Sequence, residues 1–181
     1  MLQLKEHLFA SDCILVVNEA HDLGDIIMDI DFDTLENEIY ILLGQKRVMV
    51  VATSYLDSVT ARNMSCIILN KKIYFQTDYT FEKIKQIIGN SNIALCVDNI
   101  QIVGIAKIRK HPFDEENTAF LNAFKEGYRG SYESYSHIKN EVVVEIEPTF
   151  ISLWKYEGSQ PYRDFLDTKS KKACRVIYDT K

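Results

Sequence analysis

From Val48 to Ile108 the spacing of apolar residues changes several times, and each change marks an element. Val48-Met49-Val50-Val51-Ala52-Thr53 is a β-branched run that predicts a strand, and Tyr55 to Ser58 predicts a polar turn. Met64 to Leu69 and Lys72 to Thr77 predict two more strands, joined as a hairpin at Asn70-Lys71. Phe81, Ile84, Ile87 and Ile88 then recur at helical spacing, and Gly89-Asn90 closes that helix. Ile93 to Val97 and Ile100 to Ile108 predict a second hairpin across Asp98-Asn99. Gly104 inside its long strand marks a bulge or a close approach.

The flanks are read the same way. Asp33 as N-cap, with Glu36 three residues on, predicts a helix carrying Leu35, Ile39, Leu42 and Leu43 on one side and stopping at Gly44. Asp114 caps a further helix, with Phe120, Ala123, Phe124 and Gly127 on one face and Glu115 and Glu116 in its first turn. Gly127 to Tyr135 reads as a loop. Val142 to Ile146 and Thr149 to Tyr156 read as two strands separated by a bend at Pro148. These spacings divide the chain into an N-terminal extension, 1–32, with a short buried strand at Cys13 to Val17, a main domain, 33–156, and a polar tail, 157–181. The tail is expected to pack on the domain or on a partner subunit, with a short strand at Cys174 to Tyr178. Two hairpins without regular strand–helix alternation point to a mainly β fold with some α: an antiparallel barrel with peripheral helices. Several strands are apolar on both faces, the mark of extra burial such as a subunit interface.

Composition narrows the classes. A chain of 181 residues suits one domain with a proper core. A net charge of -5 argues against a nucleic-acid partner and requires any anionic ligand to find a local positive spot. No apolar run approaches the ~20 residues of a membrane span, and the N-terminus lacks the basic-then-apolar order of a secretory signal. The expected location is the cytoplasm. Cys13, Cys66, Cys96 and Cys174 lie far apart without a C-x-x-C pair, which fits reduced thiols and no zinc site. Asp29, Asp31 and Asp33 alternate but lack the glycine and distal glutamate of a calcium loop, so no metal is expected. His7, His21, His111 and His137 have no nucleophile beside them in the sequence, and no catalytic residue is nominated.

One constellation does suggest chemistry. A phosphate is held by backbone N–H groups at a helix start together with cationic side chains. The helix beginning near Thr80 offers the amides, Lys83 lies in its first turn, Arg62 lies across the hairpin, and the Thr77 hydroxyl ends the preceding strand. Lys85, two positions from Lys83, points elsewhere. Singly, each residue also fits a strand-flanking arginine or a solvated helix face; the order gives them meaning.

That order, Arg62-Asn63-Met64-Ser65, then Tyr74-Phe75-Gln76-Thr77, then Lys83, resembles the FMN-binding split barrel of the pyridoxamine 5′-phosphate oxidase-like families, in their flavin-nucleotide-binding and nitroimidazole-resistance branch. The resemblance covers about residues 33–156. It implies a six-stranded antiparallel split β-barrel and a homodimer holding two FMN molecules at its interface. Arg62 and Lys83 would hold the FMN phosphate, with Thr77 beside it. Asn63, Met64, Ser65 and Gln76 would meet the ring, and Gln101 would reach a cofactor held mainly by the other subunit. Trp154, after Pro148, would wall the pocket or fill the interface. The implied activity is a flavin-dependent oxidoreductase acting on a small substrate, with a nicotinamide nucleotide or another reductant as electron source. The alternatives are a non-catalytic flavin-binding or redox-sensing stress protein, or the same barrel holding a deazaflavin or a haem, the last needing an axial ligand such as His111 or His137. Two departures stand out. The family's Ser-Arg-Lys at the helix start reads Phe81-Glu82-Lys83 here, which removes two phosphate contacts. The Arg-x-His-x-Arg signature of the true pyridoxamine phosphate oxidases is absent from Gly158-Ser159-Gln160-Pro161-Tyr162-Arg163, so that activity is not expected.

Overall fold

The computed structural model describes residues 26–178. Its nine strands are β1 (Ile26–Asp29), β2 (Lys46–Tyr55), β3 (Ser58–Leu69), β4 (Lys72–Asp78), β5 (Asn92–Val97), β6 (Ile100–Ile108), β7 (Glu141–Glu157), β8 (Gln160–Asp167) and β9 (Lys172–Ile177). Its four α-helices are α1 (Phe32–Leu43), α2 (Glu82–Gly89), α3 (Thr118–Gly127) and α4 (Arg129–Tyr135), with a 3₁₀ turn at Glu115–Asn117 before α3. All pairings are antiparallel. The order β7-β4-β3-β2-β5-β6 is closed by β6 pairing with β7, giving a six-stranded barrel, and β8, β9 and β1 continue the sheet beyond β7. This is the split barrel implied by the sequence, with helices packed around it.

The interior is one apolar cluster. Met49, Val51, Phe75, Ile102, Ile146 and Leu153 come from the barrel wall, Leu35, Ile39 and Leu43 from α1, and Ile84 and Ile87 from α2. Each such side chain contributes about 1.5–3 kcal/mol on burial, so the two helices are held by their apolar stripes. The β3–β4 turn, Asn70-Lys71, has φ of 50° and 63°, the doubly positive geometry of a tight hairpin that right-twisted strands favour. Outside the barrel, the buried Asp164 carboxylate takes two bonds from Arg175, at 2.6 and 2.9 Å, and one from Lys155 at 3.1 Å. Lys155 also reaches Glu38 on α1 at 2.5 Å, which ties that helix to the sheet extension.

Four local expectations are corrected. The cap of α1 is Asp31, whose carboxylate accepts from the Thr34 N–H at 2.8 Å, while Asp33 lies inside the first turn and Leu42 is exposed. The predicted loop at Gly127 to Tyr135 contains α4, a short helix docked through neighbouring tyrosines in place of an apolar stripe, and so invisible to periodicity. The tail holds a complete extra strand, β8, whose pattern is masked by the buried charges Asp164 and Asp167. The two strands expected around Pro148 are one, β7. Its second edge pairs with β4 as far as Ile146 and with β8 only from Phe150, so the proline falls where that edge has no strand partner, and its carbonyl accepts from the Thr168 hydroxyl at 2.7 Å. The expected strand at Cys13 to Val17 lies outside the described residues.

Opposite Pro148, β6 answers with a register shift at Val103/Gly104. A Cβ on Gly104 would come within 2.7 Å of the Glu147 carbonyl oxygen and 2.9 Å of an Ile146 methyl. Gly104→Ala is therefore expected to cost about 1–3 kcal/mol by overpacking, seen as a lower urea midpoint at unchanged m-value. An unchanged midpoint would show that the bulge has slack.

Candidate functional site

A gap in the barrel wall creates the site. β3 pairs with β2 from Ser58 to Ile67, but its ladder with β4 covers only Ile67↔Tyr74, Ile68↔Ile73 and Leu69↔Lys72. Beyond those pairs the strands diverge: β4 leans on β7 through Ile73 to Asp78, and β3 stays with β2. The opening is a cleft of about 190 Å³ lined on one side by Asn63, Met64 and Ser65 and on the other by Gln76, with Ser131 and Tyr135 of α4 and Glu141 of β7 around it. Four residues expected to meet a ring are thus brought together.

The expected phosphate residues lie next to it: Arg62 precedes Asn63 on β3, Thr77 follows Gln76 on β4, and Lys83 follows on α2. Arg62 lies within β3, on the face shared with the buried Val51. Its Nη1 donates to the Val51 carbonyl at 3.1 Å and to Thr53 Oγ1 at 2.8 Å, and its Nη2 donates to Thr60 Oγ1. Lys83, buried in the first turn of α2, donates to Thr77 Oγ1 at 2.9 Å and lies 4.5 Å from the centre of the Phe81 ring. Among the described residues neither cation has a carboxylate within salt-bridge distance; their hydrogen bonds all go to neutral oxygens. Burial holds both below the ordinary range of their type, and the Arg62 guanidinium pushes the Lys83 ammonium lower still. The two like charges raise each other's energy, Glu141 and Asp78 offset this for Lys83 only through space, and an anion between the cations relieves both.

The two departures at the start of α2 have a structural answer. Phe81, the N-cap with no capping side chain, supplies an aromatic face to Lys83. Glu82 is exposed and pairs with Lys85 at 3.3 Å, which takes up part of its charge. Asp78 spends its carboxylate on the Thr80 N–H at 2.7 Å and the Thr80 hydroxyl at 2.6 Å.

The cleft has its own unmet polarity. Gln76 is buried, and its Oε1 accepts from Ser136 Oγ at 2.7 Å while its Nε2 has no partner. A serine hydroxyl donates or accepts, so either orientation of the amide leaves one end unpaired. A buried unpaired amide costs about 1–3 kcal/mol until something bonds it. Glu141 faces the same cleft. Its carboxyl is pushed up to about 7, first by burial and then by Asp78, with Lys83 pulling the other way.

The other expected residues lie elsewhere. Gln101 is exposed on the outer face of β6, level with Cys96 of β5 and Val50 of β2. It belongs to an apolar surface that includes Val48, Val50, Val103 and Ile105. Trp154 stacks on Tyr178 at 5.2 Å and packs on Arg163 at 4.8 Å, toward the sheet extension. Within one chain neither lines the cleft. The residues that sequence reasoning missed are Thr53, Thr60, Gln86 and Glu141. Gln86 left a signal, a polar side chain on the face of α2 that also carries Lys83 and Ile87. Glu141 left none, because its surroundings depend on the unrecognised α4.

No family model matches this chain, and neither does any curated protein. Solved structures do. General stress protein 26 from Bacillus anthracis matches with a TM-score of 0.54 at 21% identity, over 65% of this chain and 91% of that one. An F420 reductase matches with a TM-score of 0.51 at 18% identity, over 62% and 94%. The heme storage protein from Vibrio cholerae matches with a TM-score of 0.54 at 10% identity, over 63% and 89%. The fold is that of the pyridoxamine 5′-phosphate oxidase-like split barrels.

Glu141 gives a pH signature. Its folded value, about 7, lies above the ordinary 4.5, so the native state binds the extra proton between these values. Stability should therefore fall as pH rises through that window. Glu141→Gln should flatten the fall, read as urea midpoints across pH 4.5 to 7.5; identical profiles for the two proteins would contradict the placement of Glu141.

Proposed function

We propose that the cleft between β3 and β4 holds a flavin mononucleotide, its phosphate between Arg62 and Lys83 beside Thr77, and its ring against Asn63, Met64, Ser65 and Gln76. The observation that carries this reading is the pair of buried or partly buried cations with no carboxylate partner, next to a slot with an unpaired Gln76 amide. A flavin fits both needs: an anionic group for the cations and polar ring atoms for the amide. Bound there, it would supply hydride acceptance and transfer. The chain's own part is to fix the phosphate, bond one edge of the ring through Gln76, and keep Glu141 at the cleft in a state able to exchange a proton near neutral pH.

The exposed apolar face of β2, β5 and β6 supports a homodimer. Val50, Val103 and Ile105 are 41, 44 and 38% exposed, and Gln101 lies among them, placed to reach the partner's cofactor. Trp154 stands apart from this face, so a packing role in the sheet extension suits it better than a wall of the cleft. The reaction favoured is a cytoplasmic flavin-dependent oxidoreduction of a small molecule fed by a nicotinamide nucleotide. The competing reading is a protein that binds or senses flavin without turnover, and the lack of a nominated catalytic residue keeps it in play. Haem is disfavoured on geometry. His111 engages both ring nitrogens, Nε2 with the Ile138 carbonyl at 3.0 Å and Nδ1 with the Phe113 N–H at 3.2 Å, and His137 is exposed outside the barrel strands.

Arg62→Ala and Lys83→Ala should each weaken FMN binding roughly tenfold or more while leaving riboflavin, which lacks the phosphate, unchanged; fluorescence titration measures both. Equal FMN affinity in wild type and both variants would remove the phosphate assignment. Oxidation of reduced nicotinamide against a panel of acceptors separates enzyme from binder, an FMN-loaded but inert protein favouring the binder. Val50→Glu should yield a monomer by light scattering, and a persistent dimer would place the interface elsewhere.

A further inference from the structure

We infer that Gln86 is the positioning residue of the anion site, setting the direction of the Arg62 guanidinium through two threonine hydroxyls. This inference rests on the flavin-phosphate reading of the same site. Gln86 is 1% exposed on a helix whose other buried positions include Ile84 and Ile87, so an apolar side chain would suit its surroundings better unless its amide is needed. It is needed by three groups. Its Oε1 accepts from Thr53 Oγ1 at 2.5 Å and from Thr60 Oγ1 at 2.7 Å, and its Nε2 donates to the Ser58 carbonyl at 3.3 Å.

The direction of these bonds follows from donor counting. Turned the other way, the amide would set its oxygen against the Ser58 carbonyl oxygen, two acceptors with no proton between them, so the Ser58 carbonyl fixes the orientation. With the amide oxygen toward both threonines, each hydroxyl spends its single proton on Gln86 and turns a lone pair to Arg62. Arg62 fills both: Nη1 donates to Thr53 Oγ1 at 2.8 Å and Nη2 to Thr60 Oγ1, while Nη1 also takes the Val51 carbonyl at 3.1 Å. Three of the five guanidinium N–H bonds are thereby fixed on the protein. The Nε–H and one Nη2–H remain for a ligand, held in a single direction before it arrives.

The amide of Gln86 bonds Thr53, Thr60 and Ser58 and not Lys83, yet it lies one turn along α2 from Lys83. The same short helix therefore carries one cation of the site and the group that aims the other. Preorganising a charged fork in this way raises affinity because its ordering precedes binding.

Gln86→Met keeps the length of the side chain and removes the acceptor. The quantity to measure is the ratio of FMN to riboflavin affinity in the full-length protein, by fluorescence titration, for wild type, Gln86→Met and Arg62→Ala. A fall of about tenfold in the ratio for Gln86→Met, in the same direction as Arg62→Ala, supports positioning; general loosening of the fold would lower both affinities and leave the ratio alone. An unchanged ratio in Gln86→Met beside a reduced one in Arg62→Ala overturns the inference and leaves the phosphate site standing. An unchanged ratio in both, or no flavin retained by the wild type, overturns the site and the inference together. Should Gln86→Met fail to fold, Thr60→Val at a partly exposed strand position removes one of the same links, and the same ratio decides.

Discussion

A strand in a sheet is stable when both edges are laddered, and β3 and β4 give that up after three residue pairs at their shared turn. Each then keeps one edge on another neighbour, β2 or β7, and turns the other toward the gap. The tight turn at Asn70-Lys71 holds the strands together at one end, while the barrel's closure through β6 and β7 holds them apart at the other. The cleft is therefore imposed by topology and does not depend on loop conformation. That explains why Asn63, Met64, Ser65 and Gln76, consecutive or nearly so on two rigid strands, line the same slot.

Electrostatics completes what the opening begins. The chain is acidic overall, yet Arg62 and Lys83 act on each other with no carboxylate paired to either, which is costly to build. The surrounding residues show how the cost is limited. Neutral oxygens of Thr53, Thr60, Thr77 and Val51 accept hydrogen bonds from the cations, the Phe81 ring lies against the ammonium, and the nearby carboxylates are occupied or partly protonated: Asp78 on Thr80, Glu82 on Lys85, Glu141 with its raised proton affinity. The positive field is thus left open toward the cleft.

The barrel was legible because its strands are long, β-branched and punctuated by short polar turns. The pair Arg62 and Lys83 was legible because each can be counted from a neighbouring feature, Arg62 from the β3–β4 hairpin and Lys83 from the start of α2, although Arg62 lies inside β3 and does not flank it. What stayed hidden depended on tertiary contact. The strand β8 carries Asp164 inside the fold, and the guanidinium of Arg175 and the ammonium of Lys155, on different strands, make that burial tolerable. The helix α4 docks through Tyr132, with Tyr128 just before it, beside Phe120 and Phe124 of α3, so its own period says nothing. Thr53 and Thr60 look like ordinary strand residues until Gln86 is set against them by the docking of α2.

The single long strand β7 also orders events in time. It bonds β4 with its first residues, β6 with its middle and β8 with its last, so the barrel wall has no closing stave until that strand exists. During synthesis β2 to β6 emerge first and can pair locally as the β2-β3-β4 meander and the β5–β6 hairpin, but β4 keeps an unladdered outer edge and the core around Phe75 stays open. Contacts so distant in the chain form late and close large loops. The cleft should thus be the last part of the barrel to mature, and a ligand that bridges β3 and the start of α2 would meet a nearly finished protein instead of nucleating it.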